Sequence, residues 1–318
     1  MRRHRPPILM IALGLLAPGC SGNGGPTAAS TAGAPGSVIL SGTVLSLTVA
    51  ETGQPVAEAT VVVAGRSYGS DTTGRVVLDE GVTPGSFVDI VASGMLDRQT
   101  LLRSPAATAF SLWPRSSATG LDEDYTSRLV YSWGNDDRPG TSPLYRLAGT
   151  QAFIVPSAEL QADPAARAAH QRAADEVNAA VGGAVHYSVA ASAPAGAVAF
   201  STVVDSEDEG CEERVLALTR IRLRAGEISS GRIVFCNPGA VRDGTVVHEV
   251  GHTYGLGHSP DPNEVMHAVM LRRQAEGLGV RESLVMRLML QRRGGNRFPD
   301  NDRGISAAAS GEVTIVCR

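Results

Sequence analysis

The sequence predicts an α+β chain, with a small all-β unit ahead of a mixed unit. Three observations predict it. Between Val38 and Leu112, short β-branched runs alternate with turn residues at close spacing. After residue 143, strand-like runs alternate with helical patterns opened by capping residues and closed by glycine. Late in the second unit, the stretch His248-Glu249-Val250-Gly251-His252-Thr253-Tyr254-Gly255-Leu256-Gly257-His258 reads as a helix ending in a glycine turn.

The chain opens with Arg2, Arg3, His4 and Arg5, followed by the apolar run Ile8 to Leu16. Nine residues are too few to span a bilayer, so residues 1–20 read as an export signal. It ends in Leu16-Ala17-Pro18-Gly19-Cys20, which resembles a bacterial lipobox. That resemblance implies cleavage before Cys20, its lipidation, and a membrane-anchored lipoprotein at the cell envelope; secretion after cleavage nearby is the alternative. Residues 21–37 are Gly, Ser, Thr, Ala and Pro with almost no large apolar side chain, as in a flexible tether.

Residues 38–112 supply the all-β unit. Strands are expected at Val38-Ile39-Leu40, Thr43 to Leu47, Ala59 to Val63, Arg75 to Leu78 and Phe87 to Val91. Turn signals separate them at Thr52-Gly53-Gln54-Pro55, Asp71-Thr72-Thr73-Gly74 and Pro84-Gly85. This spacing argues for a small β-sandwich. The string from Gly53-Gln54-Pro55 to Val63, followed by Asp71-Thr72-Thr73-Gly74, resembles the carboxypeptidase regulatory-like domain. The resemblance implies a transthyretin-like sandwich without catalytic residues, acting as a spacer or accessory binding module.

Residues 113–143 read as a connector, with Arg128 to Tyr131 a candidate strand. The mixed unit spans 144–318. Thr150 to Val155 is its first strand, and Asp163 with Pro164 opens a helix stopped by Gly182-Gly183. His186 to Val189 and Ala197 to Phe200 are further strands. Arg232 to Phe235 leads into the histidine helix, for which Asp243 is the candidate cap. A last helix, Arg281 to Arg293, carries Leu284, Val285, Leu288 and Met289 on one face, with Gly294 after it.

On the histidine helix, residues four apart share a face, so His248 and His252 can address one ion. Glu249 stands beside them, placed to reach a water without being a ligand. Gly255 can take a left-handed conformation that turns the chain and brings in His258 as third ligand. Three protein ligands leave a fourth tetrahedral position open, as in catalytic Zn2+ sites. This stretch resembles the motif of the metzincin metallopeptidases, and within them the matrixin-like branch. His258-Ser259 matches that branch, as does Val265-Met266, with Met266 eight residues after His258. The resemblance implies that Met266 supports the zinc site from below without ligating it. His267-Ala268 departs from the Tyr and Pro usual there, next to the part of the site that selects substrate.

Net charge is −4 with both signs mixed, which gives no basic stripe for nucleic acid. Every basic side chain other than histidine is Arg, a mark of compositional bias. Beyond Cys20 stand Cys211, Cys236 and Cys317; three thiols allow three pairings, and Cys211 with Cys236 is preferred because both precede the histidine helix. No cysteine lies in a segment resembling the thiol-bearing propeptide of matrixins. The runs Asp205-Ser206-Glu207-Asp208-Glu209-Gly210 and Asp300-Asn301-Asp302 have oxygen chemistry suited to structural Ca2+, but they lack EF-hand spacing and read as solvated loops. His170 and His186 lie outside any ligand pattern. The expected function is zinc-dependent hydrolysis of peptide bonds in extracytoplasmic proteins, with a protein or peptide as substrate. The rival is a catalytically inactive surface binding or adhesion protein built on the same two units.

Overall fold

A computed structural model describes residues 43–79, 82, 84–103, 108–134, 136–269, 276–303 and 310–317. The export segment, Cys20, the tether and the Val38-Ile39-Leu40 strand lie outside the described residues. Among those described, no helix is long and apolar enough to cross a membrane.

Seven strands build the first unit: β1 Val44–Val49, β2 Thr60–Val63, β3 Arg66–Gly69, β4 Arg75–Val77, β5 Phe87–Val91, β6 Arg98–Leu101 and β7 Ala109–Leu112. They form two sheets, ordered β4-β1-β7 and β3-β2-β5-β6. Alternation turns Leu45, Leu47, Val76, Phe110 and Leu112 of one sheet and Val61, Val63, Val88 and Ile90 of the other into a common apolar core. β3, β6 and β7 are additions to the expected strands. β6 escapes an apolar pattern because its inward residues, Arg98 and Thr100, are buried against polar partners.

The second unit begins within the expected connector. Residues Arg128 to Tyr131 belong to a helix, α1 Glu123–Tyr131, and not to a strand. Asp122 caps it by accepting from the Tyr125 amide, Glu123 and Asp124 occupy its first turn, and Arg128 pairs with Asp124 one turn away. Leu129, Val130, Tyr131 and Trp133 then join the main apolar core, so this segment is packed structure.

The remaining elements are β8 Arg146–Leu147, β9 Gln151–Pro156, α2 Ala158–Ala162, α3 Pro164–Ala180, β10 His186–Val189, β11 Val198–Val204, β12 Ala217–Arg224, β13 Glu227–Phe235, α4 Asp243–Tyr254, α5 Val280–Met289 and β14 Gly311–Cys317. The main sheet runs β10-β9-β11-β13-β12-β14, with β8 paired to β13. Its first four strands are mutually parallel, whereas β12 is antiparallel to β13 and β14 is antiparallel to β12. Asp163 caps α3 through the Ala165 amide. The small buried face of α3, Ala166, Ala169, Ala173 and Ala174, lets it pack closely on α4. Asp243 is the first residue inside α4 and makes no side-chain cap; its carboxylate pairs with Arg172 instead. α5 ends at Met289, before the expected Arg293, because Arg292 is drawn into a buried polar cluster.

That cluster joins the two units. Arg292 is fully buried, bonds Asp300 Oδ2 at 2.6 Å, and lies 4.2 Å from the Trp113 ring centroid. Arg98 of β6 donates to the carbonyls of Ser111 and Gln291. Thr100 donates to Asp302 Oδ2 at 2.8 Å, and Asn296 donates to both Asp300 and Asp302. The sandwich is thus fastened to the mixed unit through buried, largely satisfied polar groups.

Candidate metal centre

β13 and a short 3-10 turn at Pro238–Ala240 feed the chain into α4. One helical turn separates His248 from His252, and their Nε2 atoms stand 2.9 Å apart. His248 Nδ1 lies 2.6 Å from the Val265 carbonyl oxygen, and His252 Nδ1 lies 2.8 Å from that of Leu256. A carbonyl can only accept, so both Nδ1 atoms carry the proton and both Nε2 atoms present bare lone pairs. Two bare lone pairs cannot hydrogen-bond each other; a cation suits them. His258 completes the set. Its Nδ1 lies 2.7 Å from Asp136 Oδ2, while its buried Nε2 has no hydrogen-bond partner. Burial holds His248 neutral, lowering its pKa to about 3 with the nearby His258 adding to the effect, and burial also pushes His252 well below the usual range. The three imidazoles form a cluster compatible with a metal ion.

Glycines shape the surroundings. Gly255 ends α4 in the left-handed region at φ 113°, where a Cβ would strike the Tyr145 carbonyl oxygen. The turn carries the chain to His258. Gly251 sits between the two helical histidines, and a Cβ there would stand 2.5 Å from Met266 Sδ. Met266 is fully buried beneath the helix at that point. Its loop is fixed by Ser259 N–H donating to the Met266 carbonyl and by Met266 N–H donating to Glu282 Oε1, both at 2.8 Å. Glu264 ties the loop further, accepting from Tyr125, Ser259 and Arg281.

Glu249 is fully buried on α4. Thr219 of β12 donates to its Oε2 at 2.5 Å, while Oε1 takes no hydrogen bond. Burial raises its pKa to about 8, against the opposing effect of the Thr219 bond. Cys317, buried and free, places its sulfur beside this carboxylate and His248, the three ligand atoms lying within 4.8 Å of one another. Two cavities open next to His258. One of about 380 Å³ is bordered by His267, Ala268 and Ser259 of the Met266 loop, and another of about 340 Å³ by Ala268, Val269 and Thr314 to Val316 of β14.

Asp136, Thr219, Glu264, Glu282 and Cys317 had no local signal marking them for this site. Each reaches it by tertiary packing from a different element. Cys211 and Cys236 are joined by a disulfide with 5.3 Å between Cα atoms. His170 is buried, bonded to Ala166 O and Thr202 Oγ1, and His186 is exposed on β10; neither approaches the cluster.

Asp205, Asp208, Asp300 and Asp302 of the two acidic runs have other partners. Asp208 forms a two-point pair with Arg220 at 2.6 and 2.7 Å, which lowers its pKa to about 2, and Asp205 pairs with Arg232. Asp300 and Asp302 are buried in the cluster of Arg292, Asn296 and Thr100. Among the described residues, groupings fit for a metal ion arise only around His248, and neither acidic run belongs to one. No protein-family model matches the chain, and no curated protein matches it.

Proposed function

We propose that the protein is a zinc-dependent endopeptidase of metzincin type, acting on extracytoplasmic proteins or peptides. One observation carries the reading: each of three converging imidazoles has its Nδ1 tied to an acceptor, so each offers an unprotonated Nε2 to the same space. The donor set suits zinc, which takes imidazole nitrogen and favours four ligands. When bound, zinc supplies Lewis acidity for water activation and carbonyl polarisation.

The chain's own groups would do the rest. Glu249 lies one residue from His248, held by Thr219, with Oε1 left to accept a proton from the attacking water and deliver it to the leaving amine. Met266 would set the height of the helical histidines through its contact with Gly251. The basic start, the short apolar run and Leu16-Ala17-Pro18-Gly19-Cys20 support export and a lipid anchor at Cys20, with the transthyretin-like sandwich as spacer.

Degenerate-peptide profiling of the zinc-loaded chain tests this reading. Cleavage that stops with a chelator, returns with zinc and is missing from His252→Ala is the expected result. Cleavage that persists in the metal-free protein would remove the basis of the proposal.

A further inference from the structure

A cavity of about 300 Å³ lies at the junction of the two units and shares no lining residue with the cavities beside His258. Arg103, two residues beyond β6, borders it from the sandwich. Arg146 of β8, Glu227 of β13 and Arg293 border it from the mixed unit. The polar cluster that fastens the units also sets these side chains in place. Arg98 and Thr100 of β6 are held inside it, which fixes the chain as it reaches Arg103. Arg292 is held there by Asp300, which fixes its neighbour Arg293. Arg146 and Glu227 are direct partners in the parallel pairing of β8 with β13, so their side chains share a face. Glycines let the β12–β13 turn and the turn after α5 press together. A Cβ on Gly294 would stand 2.9 Å from the Gly226 carbonyl oxygen, and one on Gly226 would stand 3.2 Å from the Gly295 nitrogen.

The cavity carries a surplus of positive charge. Three guanidiniums against one carboxylate leave two positive charges in excess. Among the described residues, none of these four groups forms an ion pair. Arg146 donates Nη1 to the Arg292 carbonyl at 2.8 Å, one of the five N–H groups a guanidinium offers. The main sheet shows the contrast. There Arg220, Arg222 and Arg232 also line one cavity, but Asp208, Glu312 and Asp205 pair with them one for one. Burial lowers the Arg103 pKa, Asp302 opposes that shift, and the like charges of Arg146 and Arg293 add to it. The Asp302 carboxylate is already bonded to Thr100 and Asn296. The residues that follow Arg103 and Arg303 in sequence, Ser104 to Ala107 and Gly304 to Ala309, include no acid.

We infer that this junction cavity is a binding site for a phosphate group, held by Arg103, Arg146 and Arg293 and bridging the two units. Guanidinium forks match phosphate oxygens two at a time and keep their charge throughout the physiological pH range. A phosphate monoester carries about −1.5 to −2 charge at neutral pH, which cancels the surplus. The cavity volume stands at the small end of ligand pockets, enough for the phosphate and a short organic substituent. Small phosphate esters and the phosphate of a lipid headgroup share this chemistry. The site is independent of the metal centre and of the peptidase reading. Its ligand ties Arg103 of the sandwich to Arg146 and Arg293 of the mixed unit, a second clasp beside the buried pair of Arg292 and Asp300.

Calorimetric titration of the whole chain with inorganic phosphate, at fixed ionic strength, tests the inference. The wild-type protein is expected to bind one phosphate per chain. Arg103→Gln and Arg293→Gln should each weaken binding by about tenfold or more, the loss of a charge-assisted hydrogen bond. Glu227→Gln should bind more tightly, because it removes the repelling carboxylate. Arg222→Gln, on the main sheet, should bind as the wild type does. Phosphate should also raise the wild-type melting temperature above its value in chloride, and should do so less in the Arg103→Gln, Arg293→Gln double variant. Titration with glycerophosphoglycerol, a soluble form of a lipid headgroup, separates the two sources. Tighter binding than inorganic phosphate assigns the site to a headgroup, and weaker binding assigns it to small phosphate esters. Glu227→Gln keeps the test decisive where an arginine variant fails to fold. No saturable binding by either the wild type or Glu227→Gln, or equal binding by the wild type and the double variant, would overturn the inference.

Discussion

Asp136 Oδ2 lies 2.7 Å from His258 Nδ1, so a carboxylate from the segment after α1 orients the histidine that follows α4. Such a partner fixes the tautomer and leaves Nε2 as the atom that would meet a metal ion. Asp136→Ala is expected to weaken zinc binding by about 10- to 100-fold, as partners of metal-binding histidines do. Competition against a chromophoric chelator measures it. Unchanged affinity would mean that the Asp136 contact does not support the site.

Gly251 and Met266 form the next testable pair. A Cβ at residue 251 would stand 2.5 Å from Met266 Sδ, inside a packed core with both residues buried. Gly251→Ala should therefore destabilise the protein by about 1–3 kcal/mol through overpacking. Met266→Ala in the same chain should recover part of that loss, so the two changes will not add. Urea denaturation of the two single variants and the double variant provides the cycle; strict additivity would show that the contact does not constrain the helix.

The polar junction between the units should matter far more than the surface pair beside it. Arg292→Ala leaves Asp300 buried without its closest cation, and breaking a buried pair this way costs about 3–5 kcal/mol. Arg303 and Asp89 also bridge the units, but Arg303 is 46 % exposed and its loss should cost about 0–1 kcal/mol. Denaturant midpoints of Arg292→Ala and Arg303→Ala compare the two. Equal losses would contradict the assignment of the junction's strength to its buried members.

His170 contributes to the pH dependence of stability at a point away from the histidine cluster. Burial lowers its pKa below the usual 6.5, with the bond to the Ala166 carbonyl acting in the other direction. A histidine kept neutral in the folded state contributes stability that is present above 6.5 and is lost as pH falls through the folded value. The melting temperature should fall as pH drops below about 6.5, and His170→Gln should flatten that slope. A slope unchanged by the substitution would place the acid sensitivity elsewhere.

Local rules reached the elements whose causes are local. Asp163 and Pro164 predict the start of α3 because a cap and a fixed φ act within one turn. The spacing of His248, His252 and His258 predicts their convergence because helix geometry and a glycine turn suffice to bring them together. Arg128 to Tyr131 misled because four apolar-flanked residues fit a strand as well as a helix, and Asp122 outside that window decides the matter. β6 and β14 escaped because their partners lie far along the chain. Arg98 is stable on the buried face of β6 only through Asp300 and the carbonyls of Ser111 and Gln291, and Cys317 meets Glu249 only after β14 pairs with β12. The same holds for the acidic runs, whose arginine partners no spacing rule identifies.

Peptide hydrolysis and zinc content, measured on the same samples of the wild-type chain and of Glu249→Gln, decide whether these residues form a peptidase centre. The expected result is one zinc in each protein, with cleavage by the first and loss of cleavage by about 10²-fold or more in the second. Undiminished cleavage without the Glu249 carboxylate, or no cleavage by either protein with zinc seated on the three histidines, would contradict it.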